Sequence, residues 1–277
     1  MLVMALLPAC SAIKIAYNQA PDLTYWWLDS YVDFNSQQTP KARDEIARLF
    51  AWHRSSELPK AAALLYKAQT QLHGSMTPAQ ACEIYGQGRS LVEAIADKAL
   101  PTIAELAPSL TTEQLQHLER KYEKNNEESL RESQKGTAEE RSARRLKQGI
   151  ERSEMLYGKL DEPQLAAVKR AIQASSFDVE LNRKERRRRQ QDALETLGKV
   201  ANEKASPQQA QALLRDYMNR VTSSPDPLYR AYANSMLKEG CALFAAVHAS
   251  TTHEQRHKAV QTLKGYEADL RVLVAQK

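Results

Sequence analysis

The sequence predicts an all-α protein, an elongated multi-helix bundle or helical-hairpin array with about nine to eleven helices. Its composition is the first reason. Helix-forming residues dominate the 277 positions, whereas glycine occurs only 9 times. The second reason is that apolar residues recur every three or four positions, so each segment forms an amphipathic helix that needs a neighbour. With 42% apolar residues the chain can bury a core, which excludes a disordered tail.

An apolar run that closes on a cysteine begins the chain, Leu6-Leu7-Pro8-Ala9-Cys10. This is the pattern that lipoprotein signal peptidase cleaves, so we expect residues 1–20 to hold a signal remnant, the lipidated Cys10 and a short tether over 11–20. The leader is short and uncharged, and we therefore expect the natural start to lie upstream. The alternative is an ordinary apolar N-terminus. No later stretch is apolar enough to predict a membrane span.

Residues 21–277 are expected to form one helical domain, opened by Pro21, with a sub-boundary near 108–111. Thr39-Pro40 predicts a second helix start. Five segments then place a capping oxygen three residues before a glutamine, the capping-box arrangement of a helix N-terminus. Their recurrence fits either a helix-pair repeat or convergence on good caps. The five are Thr77–Gln80, Thr111–Gln114, Asp161–Gln164, Ser206–Gln209 and Thr252–Gln255.

Two features are candidates for contact with a membrane or a partner. Trp26 and Trp27 follow the expected anchor, and they fit either an interfacial belt or the core, which is the usual place for aromatic residues at helical spacing. The segment 182–192 has no apolar residue, and we predict it to be the exposed middle of a long helix. That middle is either merely solvated or faces an anionic surface or an acidic partner. Its basic residues are Arg183, Lys184, Arg186, Arg187, Arg188 and Arg189.

Two cysteines remain if Cys10 is lipidated. In an oxidising compartment Cys82 and Cys241 are able to pair. Both lie on apolar helix faces, however, where separate buried thiols are the more ordinary outcome. The pairing stays open at this point.

A metal site is suggested by His253-Glu254-Gln255-Arg256-His257, which matches the H-E-x-x-H pattern of zinc hydrolases. The capping box explains Gln255 without a metal, and the third protein ligand that catalytic zinc requires is not evident. The sequence also has no glycine-rich phosphate loop, G-x-S-x-G or C-x-x-C pattern. We therefore expect no metal, no cofactor and no enzyme activity, with a zinc hydrolase through His253 and His257 as the most distant alternative.

Several blocks resemble a family of uncharacterised proteobacterial lipoproteins. They are the leader with Cys10, Ala16-Tyr17-Asn18-Gln19-Ala20-Pro21, Tyr25-Trp26-Trp27-Leu28-Asp29 and Leu110-Thr111-Thr112-Glu113-Gln114 with His117-Leu118-Glu119. This resemblance implies an envelope location and a helical fold, and no mechanism. The segments 110–114 and 160–164 are also similar to the LTxxQ motif of Spy-like periplasmic chaperones, whose helical cradles hold unfolding clients.

These features together predict a lipoprotein on the periplasmic side of the bacterial envelope, anchored to a membrane that we expect to be the outer one. It would act as a non-catalytic binding or scaffold module for envelope proteins. The alternative is a holdase chaperone for unfolded clients. Nucleic acid is not an expected partner, because the net charge of +5 is modest and the leader indicates export. No small-molecule substrate is inferred from the sequence.

Overall fold

Helices make up nearly all of the chain that the computed structural model describes, which is residues 12–276. These residues contain no strand, so the predicted all-α class is confirmed. The helices are α1 (Ala12–Val32), α2 (Gln38–Trp52), α3 (Leu58–Leu72), α4 (Pro78–Leu106), α5 (Thr112–Gln134), α6 (Ala138–Tyr157), α7 (Glu162–Ala174), α8 (Val179–Asn202), α9 (Pro207–Thr222), α10 (Pro227–Ala249) and α11 (His253–Ala275).

The capping boxes predicted from the sequence all form. In each, the cap side chain accepts a hydrogen bond from the backbone N–H of the third helical residue, whose own side chain accepts from the backbone N–H of the cap. Thr137 and Glu140 form a further box at the start of α6. Its third helical residue is a glutamate, so it falls outside the glutamine pattern of the other five. The helix starts were therefore predictable from residues three apart.

Three of the capping-box glutamines, Gln114, Gln164 and Gln255, also join distant helices. The Gln164 side-chain N–H donates to the Gln255 amide oxygen at 2.7 Å, and Gln255 returns the bond at 2.9 Å. Gln114 forms the same reciprocal pair with Gln38, at 2.7 and 3.2 Å. Gln38, Gln114 and Gln164 are buried and Gln255 is half-buried, so an amide left without a hydrogen-bond partner there would cost stability. Each pair therefore fixes how two helix starts lie against each other.

The N-terminal part differs from the sequence prediction. Helix α1 begins at Ala12 and continues through Pro21, so residues 12–20 are helical rather than a tether. Its first turns are held by contacts that the sequence did not reveal, a salt bridge from Lys14 to Asp269 at 3.5 Å and a hydrogen bond between Tyr17 and His53 at 2.8 Å. Thr39 does not cap α2, because that helix already begins at Gln38.

Two prolines further along the chain do not break their helices. Pro101 lies inside α4, and the helix continues to Leu106. Pro59 stands in the first turn of α3, directly after a π-helical turn over His53–Glu57 that joins α2 to α3. A proline in a first turn loses no intrahelical hydrogen bond, so the chain passes it with a local change of helix type rather than a break.

Three apolar clusters hold the helices together. The first includes Leu72, Tyr157 and Val168 and lies among α3, α6, α7, α10 and α11. The second includes Leu100 and Val200 and lies among α4, α8 and α9, and the third joins α1 to α2 around Tyr25. A 3-10 turn, Ala107–Ser109, falls at the expected sub-boundary, yet Ala107 packs in the second cluster.

The accessible surface, 17174 Å², indicates an open arrangement. A compact monomer of the same mass would expose about 12,000 Å². Helices α3 and α11 pack along each other, and α4 contacts α2, α3, α9 and α10. The space between α3, α4 and α10 is where the candidate site lies.

Candidate functional site

An apolar cavity of about 780 Å³ lies between α3, α4 and α10. Its walls come from the apolar faces of these amphipathic helices, at positions three or four residues apart. Leu64 and Leu65 of α3, Ile84 and Tyr85 of α4, and Met236 and Phe244 of α10 are among the lining residues. The volume falls within the ~300–1,000 Å³ of ordinary small-molecule sites.

Two glycines keep this space open. Gly88 on α4 and Gly240 on α10 both line the cavity. A Cβ atom at Gly240 would meet no heavy atom within 4 Å, and one at Gly88 would meet only Leu64 Cδ2 at 3.9 Å. Neither position has a positive φ, so the backbone does not require glycine there. The missing side chains instead leave room between α4 and α10.

A disulfide ties the two walls together. Cys82 of α4 is bonded to Cys241 of α10, and their Cα atoms lie 5.4 Å apart. The sequence favoured separate buried thiols, and the structure corrects that interpretation. The reason is tertiary: α4 and α10 pack side by side, which brings together two residues 159 positions apart. Cys241 itself lines the cavity, so the bond fixes the distance between its walls.

Next to the cavity lies a basic depression, here called the basic mouth, defined by Arg183, Arg186 and Arg189 of α8 with Glu185. The two spaces share Phe177, Asn182 and Tyr229 as common lining residues. The mouth itself measures about 530 Å³. The apolar cavity and the basic mouth are thus direct neighbours.

Glu185 organises the arginines of α8. Its carboxylate is 4% exposed and accepts hydrogen bonds from Arg188 at 2.9 Å, Arg189 at 2.7 Å and the Ser224 hydroxyl at 2.9 Å. Burial alone would raise the pKa of Glu185, but these hydrogen bonds outweigh burial and hold the pKa below its usual range. Glu185 is therefore ionised at neutral pH.

Asp192 continues the network about two helical turns beyond Glu185. It accepts from Arg220 at 2.6 Å and from Arg188 at 3.0 Å. The hydrogen bond from Arg220 is the main cause that lowers the pKa of Asp192. Arg188 is consequently held between two carboxylates, and α8 is joined to α9.

The loop between α7 and α8 positions Phe177 at the junction of cavity and mouth. Glu239 of α10 accepts hydrogen bonds from the hydroxyls of Ser175 at 2.8 Å and Ser176 at 2.6 Å. These bonds lower the pKa of Glu239, with Ser176 contributing most. On the other side, Asn182 donates to the Tyr232 hydroxyl at 2.6 Å. The loop is therefore clamped to α10 from both ends.

The basic segment of α8 is not the uniformly exposed middle that the sequence predicted. Lys184, Arg186 and Arg187 are exposed, whereas Arg183, Arg188 and Arg189 are half-buried and Glu185 is buried. The charges of the segment alone could not reveal which of its side chains are buried, because their partners lie elsewhere in the chain. Arg220 belongs to α9, and Ser224 belongs to the turn after it.

The two tryptophans lie on the surface. Trp26 is 59% and Trp27 60% exposed, so the core placement that is usual for such residues is wrong here, and only Tyr25 of that block is buried. Trp27 packs against Tyr31 with ring centroids 5.1 Å apart, and Tyr31 lies 6.1 Å from Tyr122. Tyr122 also lines the basic mouth, so a row of neighbouring aromatic rings runs from the exposed Trp27 to the mouth.

The H-E-x-x-H segment forms the first turn of α11. His253, Glu254 and His257 are all exposed, and Thr252 caps the helix with Gln255. Within residues 12–276, no group of three or more histidine, cysteine, aspartate or glutamate side chains is placed to hold a metal ion.

The expected lipidation site, Cys10, lies outside the described residues. Among the helices that are described, none is both long and apolar enough to cross a membrane.

The cavity is the candidate feature that the sequence did not reveal. The sequence signal was a glycine inside each of two helices, Gly88 in α4 and Gly240 in α10, but a glycine in a helix indicates a close approach as readily as a void. Only the packing of the three helices distinguishes these outcomes.

Comparisons with known proteins bear on the family alone. No curated protein and no solved structure matches the chain. A family model does match residues 30–230, a range that includes the basic mouth on α8 and ends just after Tyr229 on α10. The chain therefore belongs to the family of unknown function DUF6279.

Proposed function

We propose that this protein is a lipid-anchored, periplasm-facing lipoprotein of the bacterial envelope that acts by binding and not by catalysis. Its binding site is the apolar cavity between α3, α4 and α10. The single observation that carries this proposal is the cavity itself, about 780 Å³ of mostly apolar space with a polar opening. A preformed apolar pocket with a few convergent polar groups is the usual form of a ligand site.

Two further observations support an envelope location. A disulfide such as Cys82–Cys241 persists in oxidising compartments and is rare in the cytosol. The exposed Trp26 and Trp27 follow the expected anchor at Cys10, and tryptophan side chains favour the headgroup level of a membrane. Both fit a helical body held close to a membrane surface.

The binding proposal is tested with the uncharged apolar dye N-phenylnaphthylamine. We expect the full-length Cys10→Ser protein to bind the dye with a rise in fluorescence. Gly88→Leu places a bulky side chain inside the cavity, against Leu64, and should abolish this rise. Gly86→Leu, the same change on the same helix outside the cavity, should leave it intact. Equal dye binding by both variants would show that the cavity is not the site.

The anchoring proposal needs a separate experiment. With a complete signal sequence placed ahead of the chain, the wild-type protein should fractionate with membranes, and Cys10→Ser should release it. Unchanged membrane association of the variant would contradict lipidation at Cys10.

A holdase chaperone remains the second candidate, because α1 exposes a run of large apolar side chains. Ile15, Leu23, Trp26 and Trp27 are each more than half exposed. Such surface is able to hold an unfolding client. The test is light scattering by a client protein during unfolding. Suppression near one-to-one ratio that is lost in Trp26→Ser/Trp27→Ser would support a holdase, and no suppression would exclude it.

A further inference from the structure

The cavity changes character along its length. Most of its wall is aliphatic or aromatic, from Leu64 on α3 to Phe244 on α10. At the end lined by Phe177, Asn182 and Tyr229 it adjoins the basic mouth, which the same three residues also line. A ligand that fills both spaces must therefore be apolar along most of its length and polar at one end.

The charge of the basic mouth determines which charge the polar end of the ligand should carry. Three arginines line it against one glutamate. Glu185 is already shared by Arg188 and Arg189, and Arg183 is paired with Glu180 at 2.7 Å. Arg186 is exposed and has no ion-pair partner among residues 12–276. Its guanidinium is thus the donor available to an incoming anion.

We propose that the cavity binds a single-chain amphiphile with an anionic head, of the fatty-acid class. The alkyl chain lies among α3, α4 and α10, and the carboxylate is held at the mouth by Arg186. Burial of the chain supplies the driving force, and a guanidinium–carboxylate pair is bidentate and charge-assisted. The apolar cavity, about 780 Å³, accommodates one alkyl chain, and Arg186 offers one site for its head. This inference rests on the cavity being the binding site.

The first measurement is calorimetric titration of the full-length Cys10→Ser protein with laurate, below its micelle concentration. The matched ligand is dodecyltrimethylammonium, which has the same chain length and a cationic head. We expect one laurate per chain, bound about tenfold more tightly than the cation, which is the effect of one favourable charged contact.

Two pairs of variants separate the chain from the head. Gly88→Leu should abolish laurate binding, whereas Gly86→Leu should not change it. Arg186→Glu should weaken laurate about tenfold and favour the cation, because it reverses the charge at the head site. Arg187→Glu alters the net charge equally but does not line the mouth, and it should leave the laurate affinity within about twofold.

Several results would overturn the proposal. Equal affinity for laurate and dodecyltrimethylammonium would remove the role of the mouth, and so would equal effects of Arg186→Glu and Arg187→Glu. Binding only to phosphatidylglycerol vesicles, unaffected by Gly88→Leu, would mean surface attraction to a membrane. If the neutral dye still binds and Gly88→Leu blocks it, only the anionic amphiphile is wrong. If the dye does not bind either, the cavity proposal also fails.

Discussion

The disulfide between α4 and α10 gives the sharpest test of how this fold is held together. It closes a loop of 159 residues, from Cys82 to Cys241. In the chain-entropy model, a cross-link over a loop of that length stabilises the folded state by about 5 kcal/mol, because it restricts the unfolded chain. With a urea dependence of about 3 kcal/mol per M, the loss of the bond should lower the unfolding midpoint by roughly 1.5 M.

The assay compares one protein in two states, in the Cys10→Ser background so that no third thiol interferes. Half of the sample is unfolded, reduced and refolded with reductant, and half is refolded oxidised. Urea unfolding of both is followed by circular dichroism, which reports the helices directly. The control is Cys82→Ala/Cys241→Ala, in which the reductant should change nothing.

Either of two results would refute this reasoning. An identical urea midpoint for the oxidised and reduced protein would mean that the bond does not restrict the unfolded chain as inferred. Labelling of Cys82 and Cys241 by a maleimide in exported, unreduced protein would mean that the bond does not form. In that case the support that the disulfide lends to an envelope location would also be lost.

Three further predictions concern buried polar groups. Gln164→Leu should lower the free energy of unfolding in urea by about 2–4 kcal/mol, because it leaves the Gln255 amide without its partner. Gln209→Leu, in an exposed capping box, should lower it by about 1 kcal/mol or less. Equal losses would contradict a role for the amide pair. Burial lowers the pKa of His248, assisted by Arg256 and opposed by the hydrogen bond to Gly74, so the unfolded state binds the proton more readily. The free energy of unfolding should therefore fall as pH drops below about 6.5, and it should fall less in His248→Gln. A flat stability profile down to about pH 5.5 would contradict this. Glu185→Gln should lower the free energy of unfolding in urea by about 2–3 kcal/mol. Glu180→Gln, which removes an exposed ion pair, should lower it by less than about 1 kcal/mol. Similar losses would show that burial of the network does not matter.

The carboxylates of this network give an acid limit to stability. Glu185 and Asp192 both have lowered pKa values in the folded protein, so their contribution is complete above the unfolded values near 4 and is lost as pH falls below them. The acid limit therefore lies well below the window in which His248 acts.

Local features were readable from the sequence. Helix class, helix periodicity and the glutamine capping boxes depend on residues no more than four positions apart, and the chain alone specifies them. The resemblance to an uncharacterised family is confirmed at that level by the match of residues 30–230. Lipidation at Cys10 and the envelope location stay predictions.

Other local signals were overruled by packing. Thr39-Pro40 has the composition of a helix start, yet Gln38 already begins α2, where its amide bonds to Gln114. Trp26 and Trp27 have the spacing of core residues, but α1 buries Tyr25 instead. A helix face is apolar or polar by sequence, but which apolar face is covered depends on the neighbour that the fold supplies.

The candidate site was decided by tertiary structure alone. The cavity exists because α3, α4 and α10 converge with glycines on two of the facing surfaces, and the disulfide because two of these helices pack side by side. The basic mouth depends on Glu185, which accepts a hydrogen bond from Ser224 in the turn after α9 and pairs with Arg189. These contacts fix which arginines are paired and which face the opening. Sequence spacing determines what one helix presents, and only the meeting of helices distant in the chain determines what they enclose.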